Sequence, residues 1–222
     1  RKDQRPDVPM PIPLGAPHDE MVVDVTKADQ VLAACEGMDA IVNCTVIRHD
    51  VVGSFRVNAL GAYNVMQAAV AHGIQRVVHT GPFQMGMEGP IGYSWDDWIV
   101  DDAPQRPGYG MNTYIHTKYL GQEIARIFAE HYKLVVPSLY FCDFADFVNL
   151  RQPGDPVHPF TTTWTDTARS IRAAVETTAM PSPFEILHVN ADMPQGVYPN
   201  TKAKRILGWQ PQDPNESWWL TQ

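Results

Sequence analysis

The sequence predicts a doubly wound α/β fold built on a parallel sheet, and two observations carry that prediction. Short, near-continuous apolar runs alternate with longer stretches whose apolar residues recur at helical spacing, and several of these stretches end at a glycine. Strands that are apolar on both faces must be covered on both, and the intervening helices supply right-handed crossovers.

In chain order, residues 1–20 hold five of the 19 prolines and no periodic pattern, so they read as a surface connection. Residues 21–25 (Met-Val-Val-Asp-Val) read as a short strand, 28–36 as a helix stopped by Gly37, and 40–44 as the next strand. Val57, Leu60, Val65, Met66 and Ala69 mark a helix over 51–72, closed by Gly73. Residues 75–79 form a further strand, 113–132 the longest helix, 133–140 a strand and 166–177 a last helix. The remainder, with Trp209, Pro211, Pro214, Trp218 and Trp219, reads as loop-rich and is expected to form a small cap over the strand ends.

Composition narrows the function. A chain of 222 residues buries about 70% of its unfolded surface, enough for one α/β domain with a small appended region. No stretch approaches the roughly 20 apolar residues of a membrane span. The net charge of −8 and the lack of a Lys/Arg run argue against nucleic acid as a partner. Cys35, Cys44 and Cys142 lack metal-ligand spacing, so the reading is of reduced, buried thiols and a cytoplasmic protein. The chain begins at Arg1 with no signal segment, which reads as a truncated or missing beginning.

The chemistry-bearing feature is Tyr114-Ile115-His116-Thr117-Lys118, a phenol and an ammonium on one helix face. A nearby cation stabilises phenolate and lowers the tyrosine pKa from about 10, so that the phenol can exchange a proton with a substrate hydroxyl. By itself the spacing is common on surface helices, and its meaning comes from what surrounds it.

Those surroundings resemble the extended short-chain dehydrogenases/reductases, the NAD-dependent epimerase/dehydratase group that includes nucleotide-sugar epimerases and uronate dehydrogenases. Asp24-Val25 is similar to the family's Asp-apolar pair, and Gly37 to Thr45 to its Gly-x-Asp-x-Val-x-His-x-Ala strand. Val57 to Val65 resembles Val-Asn-x-x-Gly-Thr-x-Asn, and Arg76 to Pro82 sits where the family has Arg-x-Val-x-x-Ser-Ser, with Gly86 at the following glycine. Tyr114 to Gly121 matches Tyr-x-x-Ser-Lys-x-x-Gly, with Glu123 close to the usual acid, and Leu207 to Pro211 resembles Leu-Gly-Trp-x-Pro.

The resemblance implies a Rossmann-like dinucleotide-binding domain over residues 1–150, truncated at its start. Residues 151–222 then hold late sheet elements and a small substrate-binding cap. It implies an NAD- or NADP-dependent oxidoreductase or epimerase acting on a hydroxylated carbon of a sugar or sugar acid. Tyr114 is the implied acid/base, with Lys118 lowering its pKa and holding the nicotinamide ribose, and Thr80 bonding the substrate oxygen. Asp24, Val25, Cys44, Thr45, Arg48, Val57 and Phe141 line the cofactor with Tyr114 and Lys118. A homodimer through the helices at 57–72 and 113–132 is implied as well, with Tyr119, Leu120, Ile127 and Phe128 presenting a wide apolar arc.

Three departures qualify these expectations. Nothing in residues 1–20 supplies the family's Gly-x-x-Gly-x-x-Gly turn, whose amides hold the pyrophosphate. By the resemblance it falls upstream of Arg1, within about 40 residues, one strand-helix-strand unit. Gly81 stands where the family has Ser or Thr, so Thr80 serves only if the chain bends at Gly81-Pro82. Leu139-Tyr140 replaces a Leu-Arg, which touches the substrate pocket.

Other residues carry blander readings. His79 reads as a hydrogen-bonded core residue rather than a base, and His49, Asp50 and His116 have no metal-ligand partners, so no metal is expected. Arg48 either reaches the cofactor phosphates or lies in solvent. Asp96, Asp97, Asp101 and Asp102 read as a solvated loop before Arg106-Pro107, Trp164 as packing, and Trp218 and Trp219 as core or interface anchors. A non-catalytic binding member of the same fold is the alternative to the enzyme. Substrate identity and the choice of NAD or NADP stay open; Arg1 and Lys2 hint weakly at a 2′-phosphate.

Overall fold

The computed structural model describes residues 14–83, 112–145, 161–192 and 199–213. Gly86, the acidic run before Arg106, Trp218, Trp219 and most of the expected pocket loops lie outside them.

Four strands, β1 (Ala40–Asn43), β2 (Arg76–Pro82), β3 (Val136–Phe141) and β6 (Phe184–His188), form a parallel sheet in the order β1-β2-β3-β6. A second sheet pairs β4 (Asp143–Ala145) with β5 (Thr161–Thr163). The apolar runs of β2 and β3 are buried on both faces, as a doubly wound sheet requires, while Val42 of β1 is exposed. Val77 and Val136 face a core built with α1 (Ala28–Ala34), α3 (Gly61–His72) and α4 (Thr113–Tyr132). Their neighbours Val78 and Leu139 face the other core, with α5 (Trp164–Glu176) and α6 (Thr201–Leu207).

Residues 21–25 do not form the expected strand. Strands exist through their ladder partners, and none pairs with this segment among the described residues. Asp24 instead accepts hydrogen bonds from the Thr26 amide (3.0 Å) and hydroxyl (2.8 Å), and its amide donates to Gln30. The stretch after α5, loop-rich by its composition but expected from the resemblance to hold late sheet elements, supplies β6 and α6. Glu185 interrupts the apolar run of β6 and conceals it in the sequence. Trp209 is likewise core rather than cap: it is 4% exposed, and its indole N–H donates to the Asp166 carbonyl at 3.2 Å. The Asp166 carboxylate accepts the Gln212 and Asp213 amides and pairs with Arg169.

The helix over 51–72 is continuous but not uniform. α2 (Val51–Ser54) passes into a π turn (Phe55–Leu60) and then into α3. The π turn packs against α4 where Gly121 meets it: a Cβ at Gly121 would lie 2.2 Å from the Asn58 carbonyl oxygen and 3.2 Å from the Ala62 Cβ. Only glycine permits this approach. Gly121→Ala must therefore push α4 off the π turn, and it should destabilise the chain by about 3 kcal/mol, roughly 6 to 12 °C in Tm. A thermal melt within 2 °C of wild type would contradict the packing.

Candidate active site

Tyr114 and Lys118 lie one turn apart near the start of α4, whose N-terminus is capped by the Asn112 side chain accepting the Ile115 amide. The Gly121 contact holds this part of the helix down over the carboxyl ends of β1 and β2. Lys118 is 3% exposed and Tyr114 half-buried.

The loop after β1 is fixed against the same helix. Asn58, buried on the π turn, accepts the Ile47 amide (3.0 Å) and donates to the Ile47 carbonyl (2.9 Å) and to the Thr117 hydroxyl (3.0 Å). Ser54 donates to the Ile47 carbonyl, and the Asn43 side chain accepts the Thr45 amide and hydroxyl. One asparagine therefore joins the loop to α4. The joined loop carries Cys44 to the Lys118 ammonium and sets the Arg48 guanidinium carbon 5.4 Å from the centre of the Tyr114 ring.

Burial dominates the electrostatics. It pulls the Lys118 ammonium down to about 8, a fall that the Cys44 thiol opposes and the Arg48 charge assists. Neither Lys118 nor Arg48 pairs with a carboxylate among the described residues. Burial also raises the Tyr114 phenol, and the cation opposing that rise is Arg48. The place of Arg48 beside the phenol escaped the sequence reading. The available signal was its place in a loop leaving the carboxyl end of a strand, where the sites of open α/β sheets lie.

The other candidates are distributed as follows. Cys44 and Thr45 stand with Lys118 at the end of β1, and Val57 is partly buried on the π turn. Asp24 and Val25 sit at the start of α3: the Val25 carbonyl accepts the Asn64 side chain, and its methyls lie where a Gly61 Cβ would go. Phe141 is buried on the face opposite α4, beside Phe144, which stacks on the half-exposed Trp164 at 4.8 Å. The bend required at Gly81-Pro82 is absent. β2 runs through Pro82 in register with Phe141, and the Thr80 hydroxyl donates to the Asn43 carbonyl at 2.9 Å. His79 is buried as expected, but neither ring nitrogen meets a hydrogen-bond partner among the described residues, and burial with the Lys118 charge pushes it well below the ordinary histidine range.

Comparison with known proteins bears on this arrangement. A sequence profile described as the NAD dependent epimerase/dehydratase family matches residues 13–145. The chain is similar to a uronate dehydrogenase of Pseudomonas putida, 27% identical over 143 residues, covering 60% of this chain and 48% of the relative. The chain spans about half the length of that curated relative. Among solved structures, it is similar to a glucuronic acid dehydrogenase from Chromohalobacter salexigens, with TM-score 0.74 and 21% identity over 93% of this chain and 74% of the other. MoeE5, solved with UDP-glucuronic acid and NAD, superposes with TM-score 0.73 at 15% identity over 94% of this chain and 85% of the other. These structures share the fold, and the profile, which covers more than half of the sequence and spans the sheet from before α1 to the end of β4, shows that the chain belongs to the NAD dependent epimerase/dehydratase family.

Proposed function

We propose that the protein is an NAD(P)-dependent oxidoreductase or epimerase acting on a hydroxyl-bearing carbon of a sugar or sugar acid, with Tyr114 as the acid/base. The observation that carries this reading is the Lys118 ammonium, buried with no anion among the described residues. A buried cation without a partner is expensive, and chains retain one where a ligand completes it. The hydroxyl oxygens of a nicotinamide ribose fit such a donor. The dinucleotide supplies hydride acceptance or return when bound, and the chain supplies position and a proton route. The family's description favours NAD, and the relatives act on uronates or carry UDP-glucuronic acid with NAD, as their names state.

In this reading the Tyr114 oxygen takes the proton of the substrate hydroxyl. Lys118 holds the ribose and the proton path behind it, and Cys44, Thr45 and Val57 border the cofactor. Thr80 acts by tying the ends of β1 and β2. A second reading, a binding member of the fold without turnover, has one observation in its favour: the Thr80 hydroxyl is engaged with Asn43 and Gly81 offers none. The family's homodimer is carried over by exposed Leu60, Tyr63, Leu120 and Ile127 on α4 and the helix before it; Phe128, expected on that surface, is buried.

Tyr114→Phe should lower turnover with NAD and a sugar acid by roughly 100- to 10,000-fold, the usual worth of a positioned proton-transfer group. Equal rates in variant and wild type would remove the catalytic assignment, and a wild type without turnover would leave the binding reading. Lys118 gives a pH test. With its pKa depressed from 10.5 to about 8, the native chain holds fewer protons than the unfolded chain between those values, so stability rises with pH across that window. Lys118→Met should accordingly melt roughly 5 °C above wild type at pH 7, with the gap closing toward pH 10. A variant that melts below wild type at pH 7 would show that the ammonium is compensated after all. Light scattering at micromolar concentration should return about twice the 24.9 kDa chain mass, and a value near one chain counts against the dimer.

A further inference from the structure

Arg48 is exposed among the described residues, yet the backbone is fixed on either side of it. Asn58 bonds the amide and the carbonyl of Ile47 immediately before it, and Ser54 bonds the same carbonyl. Two residues on, the Asp50 carboxylate caps α2 by accepting the Val52 amide at 3.0 Å and the Gly53 amide at 3.1 Å. Between these anchors the guanidinium carbon lies 5.4 Å from the centre of the Tyr114 ring, and the two side chains are hydrogen-bonded. A guanidinium only donates, so the phenol oxygen is the acceptor. Burial raises the phenol, Arg48 opposes that rise by its charge and its hydrogen bond, and Cys142, beyond β3, adds to it. Lys118 stands one turn away on α4 itself.

We propose that Arg48 is a positioning residue for proton transfer, holding the Tyr114 ring in place and stabilising its phenolate. The inference rests on the function of the preceding section, in which Tyr114 takes a proton from the substrate and must start as phenolate. A neutral phenol offers the cation a ring face and an uncharged acceptor. Phenolate offers a full charge at the same distance, so the contact strengthens as the proton leaves. Such a contact favours the base form, which burial alone opposes. Arg48 stands on the loop after β1 and Lys118 on α4, so removing one cation leaves the other in place. A contact with the cofactor phosphates is the other role open to an arginine here, and it leaves the titration of the phenol in the cofactor-free chain unmoved.

The test compares the full chain with Arg48→Met and Arg48→Lys, each isotope-labelled at Cζ of its eight tyrosines. The Tyr114 resonance, assigned by its loss in Tyr114→Phe, is followed by NMR against pH without cofactor. Its midpoint should lie about one to two pH units higher in Arg48→Met, the lower part of the range for an opposite charge at this separation, because the guanidinium is exposed. Arg48→Lys should fall between the two. The second readout is kcat/KM with NAD and glucuronate. In Arg48→Met it should drop roughly 10- to 100-fold at pH 7, and the loss should shrink toward pH 10 as the phenol ionises unaided, while the KM for NAD holds. An unmoved Tyr114 midpoint, or a loss equal at every pH, would overturn the proposal. A raised KM for NAD with an unmoved midpoint would assign Arg48 to the cofactor phosphates and overturn it too. A wild type without turnover removes the preceding function and the transfer role with it, whatever the titration gives; wild-type turnover with an unmoved midpoint overturns this proposal alone.

Discussion

The site depends on how closely α4 lies against the π turn. With no side chain at Gly121, the Asn58 carbonyl comes within 2.2 Å of where a Cβ would stand, and α4 settles by the width of a methyl group. That position buries Lys118 and brings the Thr117 hydroxyl to 3.0 Å from the Asn58 side chain. The π turn has its own part in this. One wide turn within a helix shifts the following residues around the axis, and such turns recur at functional sites. Here it buries both Asn58 and Ala59, and Asn58 can then hold loop and helix together.

The same closeness makes this face of the sheet polar. Lys118, His79, Ser138, Gln122, Tyr140 and His188 are all nearly inaccessible, and Tyr140 donates to Gln122 at 2.5 Å. Both ring nitrogens of His79, Nε2 of Gln122 and Nε2 of His188 meet no partner among the described residues, and burial takes His188 down to about 4. Each such group costs about 1 to 3 kcal/mol relative to a satisfied one. An apolar layer here would be more stable, which is the usual relation between a site and the fold carrying it.

The opposite face offsets that cost with conventional packing. Val78, Leu139, Leu187, Ile206 and Trp209 form an apolar core, and Asp166, 2% exposed, receives backbone amides from Gln212 and Asp213. Buried carboxylates persist where several donors converge on them, and this one ties the segment after α6 to the start of α5. The two halves of the sheet thus divide the labour between stability and chemistry.

Local periodicity was enough to read α4 from Thr113 to Tyr132, the strands β1, β2 and β3, and Tyr114 and Lys118 on one helix face, because those features depend on residues a few positions apart. Features that depend on distant partners were not legible. Residues 21–25 have the composition of a strand, but a strand requires a neighbour, and the segment turns instead on Asp24. The Thr80 hydroxyl is committed to Asn43, 37 positions away, because β2 stays straight in register with β3. The cation over the phenol ring is Arg48 for the same reason. Helical spacing says which side chains share a face, but only the packing of the β1 loop against α4, through Asn58, decides which charge reaches the ring.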